Sequence, residues 1–174
     1  MSPSNESAGI DKSYELITRS CMLKTLDLFL ALESIWTDLG EKKWAEDNFL
    51  LDLPLKWNLS FMCKNRSDDS INDSIIGYII ASQKPGTQNG DMSNVNKIIV
   101  DNAYRGKGVG KHLIALYEQA SLEQGLKKSQ LKALVDNKDA NTFYKRLGYD
   151  IIDTVNGTDD LIRYLYEKRL RLWI

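Results

Sequence analysis

Apolar and polar residues alternate through YELITR (14–19), and the period then lengthens, with apolar residues three or four apart through MLKTLDLFLALESIW (22–36). Alternation predicts a strand, whose successive side chains face opposite ways, and the longer period predicts a helix with one apolar side. EKKWAEDNFLLDL (41–53) repeats the helical spacing and stops against Pro54, which cannot continue a helix interior. WNLSFMC (57–63) alternates as a strand, KNRSDDSIND (64–73) is a polar loop, and SIIGYIIASQ (74–83) has the β-branched and aromatic content of a central strand. KPGTQNGD (84–91) carries the glycines of a hairpin connection into a further strand, MSNVNKIIV (92–100), so the strands of this region are expected to run antiparallel. Val109, Leu113, Leu116, Tyr117 and Ala120 recur about one turn apart and predict an amphipathic helix that Gly125 ends. LKALV (131–135) reads as a buried strand, DANTFYKRL (139–147) as a helix stopped by Gly148, and YDIIDTV (149–155) as a strand. LIRYLYEKRL (161–170) fits either a strand or a helix. This order predicts an α/β (mixed α+β) fold, a largely antiparallel sheet of six to seven strands flanked by helices, and not a doubly wound parallel one.

A chain of 174 residues suits one domain, here expected over 13–174 behind a polar, disordered tail at 1–12. Its 43% hydrophobic and 27% charged residues exclude a fibrous or disordered chain. With 23 Lys+Arg against 24 Asp+Glu the net charge is -1, so no whole-molecule field draws it to nucleic acid or a membrane, and any anion site must be local. Cys21 and Cys63 stand alone, neither a disulfide framework nor a metal-ligand spacing, and suit a reducing cytoplasm. MSPSNESAGIDK lacks the apolar core of a signal peptide, and no apolar stretch approaches the length of a membrane span.

The candidate chemistry starts at YRGKGVGKHL (104–113), a glycine turn feeding directly into a helix, where unencumbered backbone N–H groups and the helix dipole favour an anion. An NTPase phosphate loop would need glycine and Ser/Thr where Arg105 and His112 stand. A dinucleotide fingerprint would open a chain of βαβ units, whereas Gly106, Gly108 and Gly110 follow hairpin-connected strands. A third pattern, Arg/Gln-x-x-Gly-x-Gly/Ala between a valine-ending strand and a long helix, is met by Arg105, Gly108 and Gly110, with Val100 five residues before the arginine. In this VDNAYRGKGVGKHL resembles the pyrophosphate-binding segment of the GNAT superfamily of acyl-CoA N-acyltransferases. Asn137, Ala140, Tyr144, Gly148 and Tyr149 match that family's second signature, in the expected order and spacing.

The resemblance implies a sheet splayed between its fourth and fifth strands, acetyl-CoA as co-substrate, no metal, and direct transfer of an acetyl group to a primary amine. It implies that Arg105, Gly106, Lys107, Gly108, Val109, Gly110 and Lys111 receive the pyrophosphate, that the backbone of Ile98, Ile99 and Val100 binds the pantetheine arm, and that Asn137 helps hold it. Tyr144 would protonate the departing thiolate, a transfer that ordinary pKa values of roughly 10 for a phenol and 8.5 for a thiol allow. The strand-four glutamate that some members use as a base is here Asn94, which leaves water or another carboxylate, such as Glu33 or Asp38; His112 sits on the phosphate side and reads as a surface residue. Trp36, Trp44 and Asn94 are candidates for the acceptor pocket. The acidic excess of Glu33, Asp38, Glu41, Glu46, Asp47 and Asp52 over Lys42 and Lys43 either attracts a cationic acceptor or is a solvated helix face. Rival readings are a CoA-binding module without turnover and a nucleotide-binding α/β domain; the acceptor is open between a small-molecule amine and a protein N-terminus, and the protein between monomer and homodimer.

Overall fold

A computed structural model describes residues 11–36, 40–66 and 74–172. Residues 1–10 of the tail expected at 1–12, Asp38 and most of the 64–73 loop lie outside them, while Lys12 opens the first strand. One sheet of seven strands carries the fold: β1 (Lys12–Leu16), β2 (Phe61–Asn65), β3 (Ser74–Gln83), β4 (Met92–Val100), β5 (Lys128–Leu134), β6 (Asp150–Asn156) and β7 (Ile162–Arg169), in the spatial order β1-β2-β3-β4-β5-β7-β6. Neighbours are antiparallel except β4 and β5, which run parallel. The segment whose sequence fits strand or helix is thus the strand β7, seated between β5 and β6.

Helices cover both faces. α1 (Arg19–Ile35) and α2 (Glu46–Leu50) lie on one side, where Met22, Phe29, Leu32 and Phe49 close over Met62, Tyr78, Ile80 and Ile99. α4 (Val109–Glu123) and α5 (Lys138–Arg146) lie on the other, with Val109, Leu113, Tyr117 and Tyr144 against Ile76, Ile79, Leu131 and Tyr166. β3 is therefore buried on both faces, and removing each large apolar side chain from water there contributes about 2 kcal/mol. Thr18 starts α1 by accepting from the Cys21 N–H (3.0 Å). Thr25 donates to the Cys21 carbonyl (2.9 Å) and its backbone leaves the helical range, which kinks α1.

Two expectations need correction. The helix expected over 41–53 contracts to α2, Glu46–Leu50, leaving Gly40 to Ala45 as an irregular connection. Its end is set by Lys56, wholly buried, whose ammonium donates to the carbonyls of Phe49 and Leu51 (both 2.6 Å). The strand expected at 57–63 starts only at Phe61, because Lys56–Leu59 forms one helical turn, α3, that aims Lys56 back at those carbonyls.

β4 and β5 pair over only three residues, Met92 with Lys128, Ser93 with Ser129 and Asn94 with Gln130. Beyond Asn94, β4 stays with β3 and β5 stays with β7, so the sheet opens into a wedge. A buried hydroxyl chain ties its apex: the Tyr117 hydroxyl lies 2.7 Å from the hydroxyls of both Ser93 and Ser129, and Tyr149 extends the chain from Ser129 (2.9 Å) to Glu118 (3.0 Å).

Candidate active site

The wedge opens into a cleft of about 1050 Å³, large for a small-molecule site, whose upper range is roughly 1,000 Å³. Ile98, Ile99 and Val100 form its β4 wall, and their outward backbone edge has no neighbouring strand there. The Val100 carbonyl accepts from the Arg105 Nε (3.2 Å), which anchors the arginine at the cleft rim.

The glycine turn is built by its backbone. Gly106 and Gly108 take left-handed φ values of 74° and 81°, which side chains disfavour, and the turn feeds straight into α4. Gly108, the N-cap, brings no side chain to cap the helix, so the first N–H groups of α4 lack a side-chain partner and face an anion-ready rim. Gly110 needs its missing side chain for a different reason, since a Cβ there would lie 3.2 Å from the Phe143 ring. α4 comes close to the sheet over Gly77, where a Cβ would meet the Ile99 carbonyl and Val109, both at 3.1 Å.

Gly106, Gly108, Val109, Gly110, Lys111, Arg105, Asn137 and Tyr144 all line the cleft, as do Trp36, Trp44 and Asn94. Lys107 departs from this set: its ammonium sits 5.5 Å from the centre of the Tyr104 ring and its carbonyl accepts from Lys12 (3.0 Å). His112 stacks on Tyr14 with ring centroids 4.0 Å apart, on the outer side of the loop, as a surface residue would. Asn137 uses its side-chain oxygen to cap α5 through the Ala140 N–H (3.1 Å).

Tyr144 is 7% exposed, packed among Phe143, Tyr149 and Tyr166. Burial, with Glu41 and Tyr166 nearby, pushes its phenol well above the ordinary value and keeps it protonated. Among the described residues nothing hydrogen-bonds its hydroxyl, which leaves that proton available at the cleft wall.

Of the acidic residues between 33 and 52, only Glu41 lines the cleft among the described ones. Glu33 is 2% exposed and its carboxylate is committed to the Trp44 N–H (2.7 Å), the Tyr78 hydroxyl (2.8 Å) and Lys97 (2.8 Å), so it is a structural anchor and not a free base. Its partner Tyr78 is pushed well up by burial and by that carboxylate. Glu46 and Asp47 occupy the exposed first turn of α2, where negative charge favours the helix dipole, and Asp52 lies beside Arg19 and Trp57.

Sequence reasoning named Arg105 and Lys111 but missed Lys97, Lys132, Arg146 and Arg163. Around the glycine loop, β5 and α5 the wall carries Arg105, Lys111, Lys132 and Arg146 against Asp139 alone. At the other end it carries Lys42, Lys97 and Arg163 against Glu41 and Asp159. The site of a chain with net charge -1 is therefore locally positive, as a polyphosphate ligand requires. Arg163, from β7, reaches across the open end: its Nε and Nη2 each lie 3.0 Å from Glu41 Oε1, and it binds both oxygens of Asp159 (2.9 and 2.7 Å). This clamp joins the Gly40–Ala45 connection to the β6–β7 hairpin. Among the described residues no group of His, Cys, Asp and Glu is arranged to hold a metal ion, and no helix is long and apolar enough to cross a membrane.

The family model described as acetyltransferase (GNAT) family matches residues 28–149. An uncharacterised N-acetyltransferase of Methanocaldococcus jannaschii is 26% identical over 123 residues, 67% of this chain and 50% of the relative, so the chain spans half that relative's length. Among solved structures, the NatC complex bound to Gag peptide and CoA superposes with a TM-score of 0.76 at 14% identity, covering 93% of this chain and 100% of that one. Ard1 from Thermoplasma volcanium reaches 0.69 at 20% identity, covering 92% and 99%. Arabidopsis thaliana Naa50 in complex with a bisubstrate analogue, CoA-Ac-MVNAL, reaches 0.69 at 18% identity, covering 91% and 99%. At these identities the neighbours establish a common fold, and the matching family, whose pattern spans the glycine loop and β2 to β5, establishes more: the chain belongs to the acetyltransferase (GNAT) family.

Proposed function

We propose that the protein transfers an acetyl group from acetyl-CoA to a primary amine by direct attack within one ternary complex. The observation that carries this is the coincidence, in one cleft, of an unpaired β4 edge, an uncapped α4 N-terminus in a cationic rim, and a protonated Tyr144. Acetyl-CoA supplies the activated thioester when bound. The α4 amides with Arg105 and Lys111 hold its pyrophosphate, and the open backbone of Ile98, Ile99 and Val100 pairs with the pantetheine arm. One N–H of that edge can polarise the carbonyl under attack. Tyr144 gives its proton to the departing sulfur.

The acceptor end lies between the Gly40–Ala45 connection and the β6–β7 hairpin, bounded by Trp36 and Trp44. Of the solved neighbours, NatC is bound to a peptide and Naa50 to a bisubstrate analogue with a peptide portion, which favours a peptide N-terminus as acceptor here. Asn94 cannot take the amine proton. Glu41 can: Arg163 fixes its Oε1, and Oε2 has no hydrogen-bond partner among the described residues.

The test is thermal unfolding with acetyl-CoA, CoA, ATP and NAD, followed by thiol release with peptide amines. A ligand that binds only the folded state raises the midpoint. Stabilisation by the CoA ligands alone and amine-dependent thiol release are expected. Stabilisation without release to any amine would favour a CoA-binding module, which the absence of a carboxylate at Asn94 otherwise suggests; stabilisation by ATP or NAD alone would sink the cofactor assignment.

A further inference from the structure

At the acceptor end the protein has placed a cation of its own where a cationic ligand would sit. Lys97 projects from β4 toward α1, its ammonium 4.0 Å from the centre of the Trp36 ring and 5.6 Å from that of Trp44. The two indoles are the faces that a pocket selective for ammonium ligands would present, and here they are occupied from within. The charge is oriented. Glu33 Oε1 holds Lys97 from behind at 2.8 Å and also accepts from the Trp44 N–H, while Oε2 points into the core and accepts from the Tyr78 hydroxyl. The side chain of Glu33 is 2% exposed and that of Lys97 10%, so the negative end of the pair is buried and the positive end borders the cleft. Arg163, from β7, adds a second positive charge to the lining of the same cleft, with both Asp159 oxygens turned onto it. That leaves Glu41 Oε2 as the carboxylate oxygen at this end with no partner among the described residues.

We infer that the acceptor pocket admits one positive charge and rejects a second, with Lys97 as the specificity-determining residue. The inference rests on the transferase reading. The incoming ammonium meets Glu41; any further cation on the same molecule meets Lys97 and Arg163 in partly dewatered surroundings, where like charges repel more strongly than in bulk water. The acceptor class is then an α-amine whose neighbouring groups are neutral or acidic, such as a peptide N-terminus with an apolar or acidic second residue. Polyamines, amino sugars carrying several ammonium groups and N-termini followed by lysine fall outside it.

The test uses the full chain, acetyl-CoA, three peptides differing only in a Leu, Glu or Lys second residue, and spermidine, with kcat/KM read from thiol release. The Leu and Glu peptides should exceed the Lys peptide and spermidine at least about tenfold, and the gap should narrow as salt rises. Lys97→Met alone would strand the buried Glu33, so the informative variant is Glu33→Gln with Lys97→Met, which should bring the Lys peptide to within about threefold of the Leu peptide. Lys97→Arg keeps the charge and should keep the order. The ratio between peptides is measured on one protein, so a loss of folded fraction lowers both rates and cancels. Equal use of the Lys peptide or spermidine by the unaltered protein overturns the inference, as does a ratio that the double variant leaves unchanged. Absence of transfer to all acceptors, with acetyl-CoA still stabilising the fold, overturns the transferase reading and this inference with it.

Discussion

Replacing Tyr117 by Phe removes one oxygen from the apex of the wedge. That hydroxyl bridges Ser93 and Ser129, each at 2.7 Å, and these serines are register partners in the short β4–β5 junction. Neither serine is stranded by the change, since Ser93 still reaches the Lys128 carbonyl (3.2 Å) and Ser129 still reaches Tyr149 (2.9 Å). Two neutral hydrogen bonds at about 1 kcal/mol each, with no buried group left unpaired, give an expected loss of roughly 1–2 kcal/mol. A junction of three residue pairs has little else to resist opening, so the loss should fall on the wedge itself. Urea unfolding reads the stability, amide exchange at Lys128–Gln130 reads the junction, and calorimetric titration with CoA reads the cleft. We expect faster exchange at those amides and a severalfold weaker CoA affinity, with the amplitude of unfolding unchanged. A stability change below about 0.5 kcal/mol, the scatter of an ordinary surface substitution, would refute the bridging argument. Weaker CoA binding with full amide protection would refute the link from junction to cleft.

Gly110→Glu introduces a carboxylate at the first turn of α4 beside Phe143 and should weaken CoA binding about a hundredfold while the far-ultraviolet spectrum is retained; undiminished affinity would remove the glycine loop as the phosphate site. Tyr144→Phe should lower kcat about a hundredfold with acetyl-CoA affinity and unfolding midpoint unchanged, because the hydroxyl has no partner within the described residues; an unaltered rate would eliminate the phenol as the acid. Lys56 has its pKa lowered by burial from 10.5 to about 8, so between those values the unfolded chain binds the proton that the folded chain has lost, and its contribution to stability rises with pH. Across that window the protein should gain up to about 3 kcal/mol relative to Lys56→Met, measured as the difference between two urea series, and parallel pH profiles would contradict the buried cation.

The glycine loop proposed for the cofactor was legible as structure because its pattern is local. Left-handed glycines, a strand before them and a helix after them are written in consecutive residues, and the resemblance that rests on Arg105, Gly108 and Gly110 led to the same family that the match over 28–149 establishes. The acceptor side was not, because its geometry depends on a bulge. Ser93 faces Tyr117 and Val95 packs with the α4 side, so plain alternation along β4 would aim Lys97 the same way. The register shifts between Ile80 and Ala81, which pair with Lys97 and Val95, and leave Asn96 as the extra residue. Past that point Lys97 faces α1, and a lysine that alternation would bury behind the sheet becomes part of the site. The acidic stretch stayed open between two readings for a related reason. Net charge along a sequence does not say that Glu33 turns inward to Tyr78 while Arg163, more than a hundred residues later, turns outward to Glu41. Lys56 likewise imposed a helical turn on an alternating segment through contacts that alternation cannot encode.

The clamp from Glu41 to Arg163 has a consequence for how the site can change. Everything proposed to grip the cofactor lies in one unbroken stretch, from β4 through α5, whereas the acceptor wall is assembled from the connection after α1 and the hairpin near the far end of the chain. Substitutions at Trp36, Asp159 or Arg163 sit on elements that contribute nothing to the glycine loop, so their effects on acceptor choice should add to, and not disturb, the binding of the cofactor, whereas a change at Glu41 also reaches Tyr144. The two halves of the cleft are in this sense separately adjustable parts, joined through β4 and through the β5–β7 pairing, and Lys97 stands on the first of these links.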